Sequence, residues 1–459
     1  MSRLVAVSNR VALPGKRGSA AGGLATGLLA AMHQEGGLWF GWNGNIAEKS
    51  GDLIETFNDD NINYATMPLT RREFENYYLG FSNSVLWPLC HSRLNLLRYS
   101  RPQYDTYLGV NQRLVRLLLP QLKHDDLIWV HDYHFIPFGA LLRAAGIKQC
   151  IGFFLHVPFP SPDVLRALPV YVRMLNDLLQ YDLLGFQTDI DVQAFLGAVQ
   201  LFIPEARVHG DGVQVDGRTV AVRAFPIGIE VDEVARMSKS GRQGLHGRRL
   251  QASLTGRKLI IGVDRLDYSK GLPERIRAYG RFLEMQPEFH RQVVLLQIAP
   301  LSRTEVPEYE DIRSELNAIA GDIHARFAEY DWLPLRYMTR GFQRGTIMGF
   351  LSLARVALVT PLRDGMNLVA KEYIAAQSEE DPGVLLLSSL AGAAQELKDA
   401  IIVNPYDIDG VAAGLGQALT MPLEERRMRW SKMLAVLRSR DIYHWVAEFL
   451  EALRAARST

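Results

Sequence analysis

Short, almost wholly apolar runs alternate along this chain with longer stretches whose apolar residues recur at three- and four-residue spacing. In the first half the short runs are 4–8, 38–42, 127–130, 151–155 and 183–186, and they read as strands. The stretches 24–33, 104–122, 140–145 and 192–202 between them read as helices. Strand–helix alternation of this kind predicts βαβ units around a mostly parallel sheet. The runs are apolar on both faces, as strands covered by helices on both sides must be. Residues 209–217 break the rhythm with two Asp-Gly steps and a short alternation, which predicts a small hairpin. A further apolar strand is expected at 225–229.

From about 230 to 257 the chain is polar, basic and helical in pattern, and the strand rhythm then restarts at 259–263, 293–298, 356–360, 384–388 and 401–403. Helices are expected at 273–285 and 309–327, and everything from Leu423 onward is helical in pattern. The expected fold class is therefore α/β, with two doubly wound, Rossmann-like domains in tandem. The expected limits are 1–235, 236–440 and a tail helix over 441–459. A chain of 459 residues is too long for one ordinary core, which agrees with two domains.

Charge and cysteine content narrow the function classes. Lys+Arg 51 against Asp+Glu 50 gives a net charge of +1, so no global field draws nucleic acid or an anionic membrane. An anionic substrate must be held by local cations. Two cysteines, Cys90 and Cys150, cannot build a disulfide framework or a zinc site. The start Met-Ser-Arg followed by a short apolar run is too brief for a signal peptide, and no run approaches the ~20 residues of a membrane helix. A cytoplasmic enzyme is the expectation.

In open α/β sheets ligands sit beyond the carboxyl ends of the strands, so the residues there carry the candidate chemistry. Asn9 and Arg10 follow the first strand, and Gly22 and Gly23 open a helix whose amides either meet an anion or simply start a helix. His131-Asp132-Tyr133-His134 follows the run at 127–130. Its histidines read as packed or hydrogen-bonded rather than metal-ligating. Asp132 is placed to accept a proton or hold a sugar hydroxyl. His156, ahead of a proline-rich loop, reads equally as a sugar-hydroxyl partner or a core histidine. Arg265 and Lys270 share one strand-to-helix loop, which suits a diphosphate, although the Walker spacing is absent. Arg303 adds a third strand-end cation. In the block Arg363-Asp364-Gly365-Met366-Asn367-Leu368-Val369-Ala370-Lys371-Glu372, Asp364 can hold sugar hydroxyls, and helix-start amides near Asn367 can meet phosphate. Glu372 can chelate two ribose hydroxyls, since a carboxylate in so apolar a helix needs partners. Tyr77, Tyr78 and Trp87 offer aromatic faces for stacking or for a core. No G-x-G-x-x-G follows a strand, which argues against a nicotinamide-dependent dehydrogenase.

Six blocks carry a resemblance: Gly-Gly-Leu at 22–24, Leu-Trp-Phe-Gly-Trp at 38–42, Trp-Val-His-Asp-Tyr-His at 129–134, Phe-Phe-Leu-His-Val-Pro-Phe-Pro at 153–160, Arg-Leu-Asp-Tyr-Ser-Lys-Gly-Leu at 265–272 and Thr-Pro-Leu-Arg-Asp-Gly-Met-Asn-Leu-Val-Ala-Lys-Glu-Tyr at 360–373. Over essentially its whole length the chain resembles the trehalose-6-phosphate synthase family of retaining glycosyltransferases. The resemblance implies the GT-B fold, with a cleft between the domains and a final helix returning to the first. It implies UDP-glucose as donor and glucose 6-phosphate as acceptor, with no metal and no cofactor. Small-molecule substrates and a homo-oligomer are expected, with neither nucleic acid nor membrane as partner. By the same resemblance Arg265 and Lys270 hold the diphosphate, and Gly22 and Gly23 border the donor. Asp364 with the amides of Gly365 and Met366 holds glucose, Asn367 borders the donor, and His156 lies on the sugar. Leu368 and Val369 lie at the nucleotide, Phe342 near the base and Glu372 on the ribose. Arg10 and Arg303 hold the acceptor phosphate, while Tyr78, Trp87 and Asp132 shape the acceptor site. Asp264 stands where many members carry Glu, and the loop at 13–20 is irregular. A sister transferase with another phosphorylated acceptor and a non-catalytic nucleotide-sugar-binding protein are the alternatives.

Overall fold

Sixteen strands form two separate sheets in the computed structural model, which describes residues 2–14, 23–49, 51, 54–210, 212–301 and 307–456. The chain divides into two units, Met1–Ile227 with Ile442–Thr459, and Gly228–Asp441.

The first unit contains β1 (Leu4–Arg10), β2 (Gly37–Ala47), β3 (Glu55–Asp59), β4 (Ile62–Thr70), β5 (Leu127–His131), β6 (Cys150–Phe154), β7 (Leu183–Phe186), β8 (Arg207–His209), β9 (Gly212–Val215) and β10 (Arg218–Ala224). They lie in the order β3-β4-β2-β1-β5-β6-β7-β10-β9-β8. The seven inner strands pair in parallel, while β3 and the β8–β9 pair run antiparallel at the two edges. The hairpin between β9 and β10 turns at Asp216 and Gly217, both at positive φ, as the Asp-Gly step predicts.

Strands β5, β6 and β7 are fully buried because the final helix, Ile442–Ala456, lies over them. Phe449 stacks on Trp129 at 4.5 Å. A Cβ on Gly152 or Gly185 would come within 3 Å of Phe449, so glycine at both positions makes room for this helix. Cys150 is buried beneath it, with Sγ 3.1 Å from the Leu453 carbonyl. Burial of Trp445, Val446, Phe449, Leu450 and Leu453 contributes on the order of 10 kcal/mol.

The second unit is all parallel: β11 (Lys258–Val263), β12 (Val293–Ile298), β13 (Leu335–Met338), β14 (Val356–Val359), β15 (Val384–Ser388) and β16 (Ile401–Val403), in the order β13-β12-β11-β14-β15-β16. Strand order reverses between β11 and β14, and in the first unit between β1 and β5. These are the two switch points.

Strands β3, β4, β10 and β13 were not expected from the sequence, and three further features differ from its reading. Residues 225–229 form no strand: Pro226 has no N–H to donate, and Ile227 N donates to the Gln187 side chain instead of a ladder. The division falls at Ile227, ahead of the helix Val231–Gln243, because that helix packs against Arg344–Leu353 in the second unit. Gly241 permits this contact, since a Cβ there would sit 2.0 Å from the Gly345 carbonyl oxygen. The third is a thirteen-residue π-helix, Phe74–Leu86. A Thr70/Glu73 capping box starts the turn leading into it, and Arg113 grips Glu73 through two 2.9 Å hydrogen bonds. Extended π-helix is rare and clusters at functional sites.

Candidate functional site

At the switch point of the second unit, two loops are tied together. The loop after β11 ends in a short turn, Tyr268–Lys270, capped by Asp267, whose Oδ1 accepts from the N–H and Oγ of Ser269. Gly271 follows at φ +62, where a Cβ would meet the Thr360 carbonyl oxygen at 2.5 Å. The loop after β14 crosses over it, with Leu362 N donating to Ser269 O at 2.8 Å. Lys270 Nζ then reaches Asp364 Oδ2 at 2.5 Å, with both side chains nearly buried. Asn367 Nδ2 donates to the same oxygen at 3.0 Å and its own Oδ1 caps the helix Leu368–Ala376. The resulting cluster has a cation, a carboxylate and two helix N-termini, one at Gly271 and one at Asn367.

A buried guanidinium fixes the cation's backbone from below. Arg275 is wholly buried and donates to Asp264 at 2.5 Å, Thr360 Oγ1 at 3.0 Å, Gln297 Oε1 at 3.2 Å and the Lys270 carbonyl at 3.2 Å. Burial pushes the Asp264 carboxyl upward, with Arg275 opposing. Arg265 lies exposed on the same loop.

Glu372 is where a helix of apolar neighbours leaves a carboxylate in need of partners. Arg344 supplies them at 3.3 Å and extends its other nitrogen to Glu233 at 3.1 Å. Burial raises the Glu372 carboxyl above its usual range despite Arg344. Leu368 and Val369 are half-buried one turn away, and Gly365 and Met366 are buried. The segment 390–393 holds this loop through three backbone bonds, Asp364 N to Leu390 O, Gly392 N to Asp364 O and Ala393 N to Met366 O. Phe342 is half-buried, in contact with His246 and Phe350, and carries the Arg340 guanidinium 4.7 Å above its ring. Arg303 and Gly22 lie outside the described residues; Gly23 is the first residue of its helix.

The first unit presents a second cluster at its own switch point. Arg10 ends β1, exposed, with its guanidinium 5.7 Å from the Trp42 ring centre. Gly44, at φ +84, leaves the room it needs: a Cβ there would lie 2.8 Å from Nη2. Trp42 continues to Tyr78 and Tyr78 to His134, at 5.5 and 6.0 Å between rings. The π-helix therefore sets Tyr78 in a ladder that begins at a cation. Beside it, Asn9 Oδ1 accepts from the Tyr77 hydroxyl at 2.8 Å. Trp87 is buried against His91 and Tyr133.

Asp132 follows β5 at φ +77, a conformation that costs a non-glycine residue about 1–3 kcal/mol. Its Oδ1 accepts from the His156 backbone N–H at 3.2 Å, and its own backbone N–H donates to Phe154 O at 2.8 Å. Strain is thus offset by two bonds that lock the end of β5 to the loop after β6. His156 Nε2 lies 3.1 Å from His131 Nδ1. Burial holds both imidazoles neutral, His131 well below its ordinary range and His156 down to about 3. The unfolded chain then binds protons below pH 6.5 that the folded chain refuses. Stability present above pH 6.5 is therefore expected to fall as pH drops from there toward 3. Thermal midpoints across that range, in the native chain and in His156→Gln, check this: the variant's slope is expected to be shallower.

Among the described residues, no group of three or more His, Cys, Asp or Glu side chains is gathered as a metal site, and no helix is long and apolar enough to cross a membrane. Sequence reasoning missed Arg275, Arg344 and Glu233. Arg344 and Glu233 meet their partners across long sequence separations, Arg275 meets Asp264 eleven residues away, and only an unexplained arginine at a helix start (Arg344) hints at one of them.

Two doubly wound units, each with charged side chains at its switch point, match the two-domain GT-B fold of the nucleotide-sugar transferases. The model of glycosyltransferase family 20 matches residues 5–455, and the chain belongs to that family. Its relatives are trehalose-6-phosphate synthases. That of Sodalis glossinidius is 47% identical over 455 residues, covering 99% of this chain and 96% of the relative. That of Klebsiella pneumoniae is 48% identical over 454 residues, covering 99% and 95%. Among solved structures, the UDP-forming synthase of Burkholderia xenovorans, in complex with glucose-6-phosphate, superposes with a TM-score of 0.96 at 46% identity, covering 99% of this chain and 100% of that one. The Escherichia coli enzyme bound with UDP-2-fluoro glucose gives 0.94 at 46%, covering 98% and 99%.

Proposed function

We propose that the chain moves glucose from UDP-glucose to glucose 6-phosphate with retention of configuration, giving α,α-trehalose 6-phosphate and UDP. The observation that carries this reading is the Lys270–Asp364 junction at the switch point of the second unit. A diphosphate and a sugar hydroxyl need a cation and a carboxylate side by side, and this pair supplies them. Relatives close to half identical along the whole chain are named for the same product.

The second unit is assigned the donor. Lys270 has three N–H donors, so it can keep Asp364 while taking a phosphate oxygen. Arg265, Gly22, Gly23 and the helix-start amides add to the diphosphate site. Asp364, Gly365, Met366 and Asn367 take the glucose hydroxyls, Leu368, Val369 and Phe342 the uracil end, and Glu372 the ribose. The first unit is assigned the acceptor, with Arg10 and Arg303 on its phosphate and Tyr78, Trp87 and Asp132 shaping its sugar site. His156 meets the transferred glucose.

As the bond from the anomeric carbon to the phosphate oxygen breaks, negative charge collects on the diphosphate and positive charge on the sugar. Fixed cations and amides that need not reorganise stabilise that charge. The acceptor hydroxyl attacks on the same face, and its proton passes to the departing phosphate oxygen. The charge a divalent ion would supply is already present in Lys270 and Arg265, so the transfer is assigned no metal. The setting is assigned to the cytoplasm, in keeping with two buried thiols that form no disulfide, and the working form to a homo-oligomer.

The test is UDP release with a panel of nucleotide-glucose donors against several phosphorylated acceptors. Release with UDP-glucose and glucose 6-phosphate, and a disaccharide phosphate as product, supports the reading. Donor binding without release would favour a regulatory binding protein; release only with glycerol 3-phosphate would favour a sister transferase.

A further inference from the structure

His131 is the last residue of β5 and wholly buried, and its contact with His156 is the one hydrogen bond its ring makes. Two neutral imidazoles sharing one hydrogen bond have a single proton between them, so there are two arrangements. In the first, His156 Nε2–H donates to His131 Nδ1. The remaining proton of His131 then sits on Nε2, a buried atom with no hydrogen-bond partner. In the second, His131 Nδ1–H donates to His156 Nε2, and His131 Nε2 is a bare acceptor. Orphaned buried donors are rarer and costlier than under-satisfied acceptors.

The neighbours point the same way. The indole N–H groups of Trp129 and Trp445 are both buried without partners, and their rings lie 4.5 and 6.5 Å from that of His131. A proton on His131 Nε2 would add a third unpaired donor to a place that already has two. A bare nitrogen there adds an acceptor instead.

We infer that His131 is a positioning residue that holds His156 in its Nδ1–H tautomer, so that His156 offers a sugar oxygen a neutral N–H donor. His156 is half-buried, and its Nδ1 makes no hydrogen bond among the described residues. A free imidazole prefers its proton on Nε2, so without His131 the exposed nitrogen would be an acceptor. The difference matters to the reaction. A donor that carries no net charge can hold a hydroxyl oxygen of the transferred glucose without opposing the positive charge that grows on the sugar ring. The sugar-facing role rests on the function proposed above, whereas the tautomer does not.

The full chain labelled with ¹⁵N-histidine tests the inference, using two-bond ¹H–¹⁵N correlation with His156 assigned by difference from His156→Gln. In the native chain His156 is expected to show a protonated Nδ1 and a bare Nε2. In His131→Asn, whose amide N–H can take the place of Nδ1–H, that pattern and kcat are expected to persist. In His131→Leu the proton moves to Nε2, and kcat falls about tenfold. A protonated Nε2 on His156 in the native chain overturns the inference, as does an unchanged tautomer in His131→Leu or an equal kcat loss in both variants. Should His131→Leu fail to fold, the native and His131→Asn spectra decide. A native chain with Nδ1–H on His156 but no UDP release would overturn the function and leave the tautomer standing.

Discussion

Lys270→Ala is expected to lower kcat for UDP release by about 10²–10³-fold while the protein remains folded. The ammonium sits at the junction of the two switch-point loops, and in the proposed reaction its contact with the departing diphosphate strengthens as charge develops. Its removal is therefore read in kcat and in kcat/KM together, not in donor KM alone. The fold is spared because Leu362 N–H to Ser269 O still ties the loops, and Asp364 keeps the Asn367 amide. The stability cost is about 1.5–3 kcal/mol, that of one hydrogen bond to a charged group. Steady-state kinetics and circular dichroism check both halves. Undiminished turnover would remove Lys270 from the reaction.

Arg275→Met is expected to act in the opposite way, through the fold. The guanidinium is wholly buried and satisfies Asp264, Gln297, Thr360 and the Lys270 carbonyl. Its loss strands the Asp264 carboxylate away from water, at about 3–5 kcal/mol in urea unfolding. The pH dependence has a definite sign. Burial already raises Asp264, and without Arg275 it rises further. The folded variant then binds a proton that the unfolded chain releases, so its deficit shrinks as pH is lowered through the raised value. Adding Asp264→Asn to the same chain is expected to restore part of the loss. An unfolding curve for Arg275→Met that coincides with the native one would contradict the assignment of this arginine as the support beneath Lys270.

The strand-end logic made much of this architecture readable from sequence. Apolar runs marked five of the seven inner strands of the first sheet, missing β4 and β10, and the inner strands of the second, and the charged residues following 259–263 and 356–360 marked the loops that meet at Lys270 and Asp364. Edge elements were less readable. β3 is exposed along its whole length and carries no alternation to find, and β13 is only four residues long. The apolar run at 225–229 is buried without being a strand because Pro226 interrupts it. No element was expected over the π-helix Phe74–Leu86, so the setting of Tyr78 could not be foreseen. Within the candidate site, side chains at the strand ends were easier to name than those beneath them. Arg275 reads as an ordinary helix arginine until Asp264, Thr360 and Gln297 are found around it. His131 reads as a neighbour of Asp132 until its ring is seen against His156.

At the centre of this account is the idea that lysine, arginine and helix amides neutralise the leaving diphosphate with no need for a divalent ion. The most direct measurement is the initial rate of UDP release from UDP-glucose and glucose 6-phosphate after exhaustive chelation. The rate is predicted to match that of the untreated enzyme and to stay unchanged when magnesium or manganese is added back. Abolition of transfer by the chelator, with recovery on adding either ion, would contradict it.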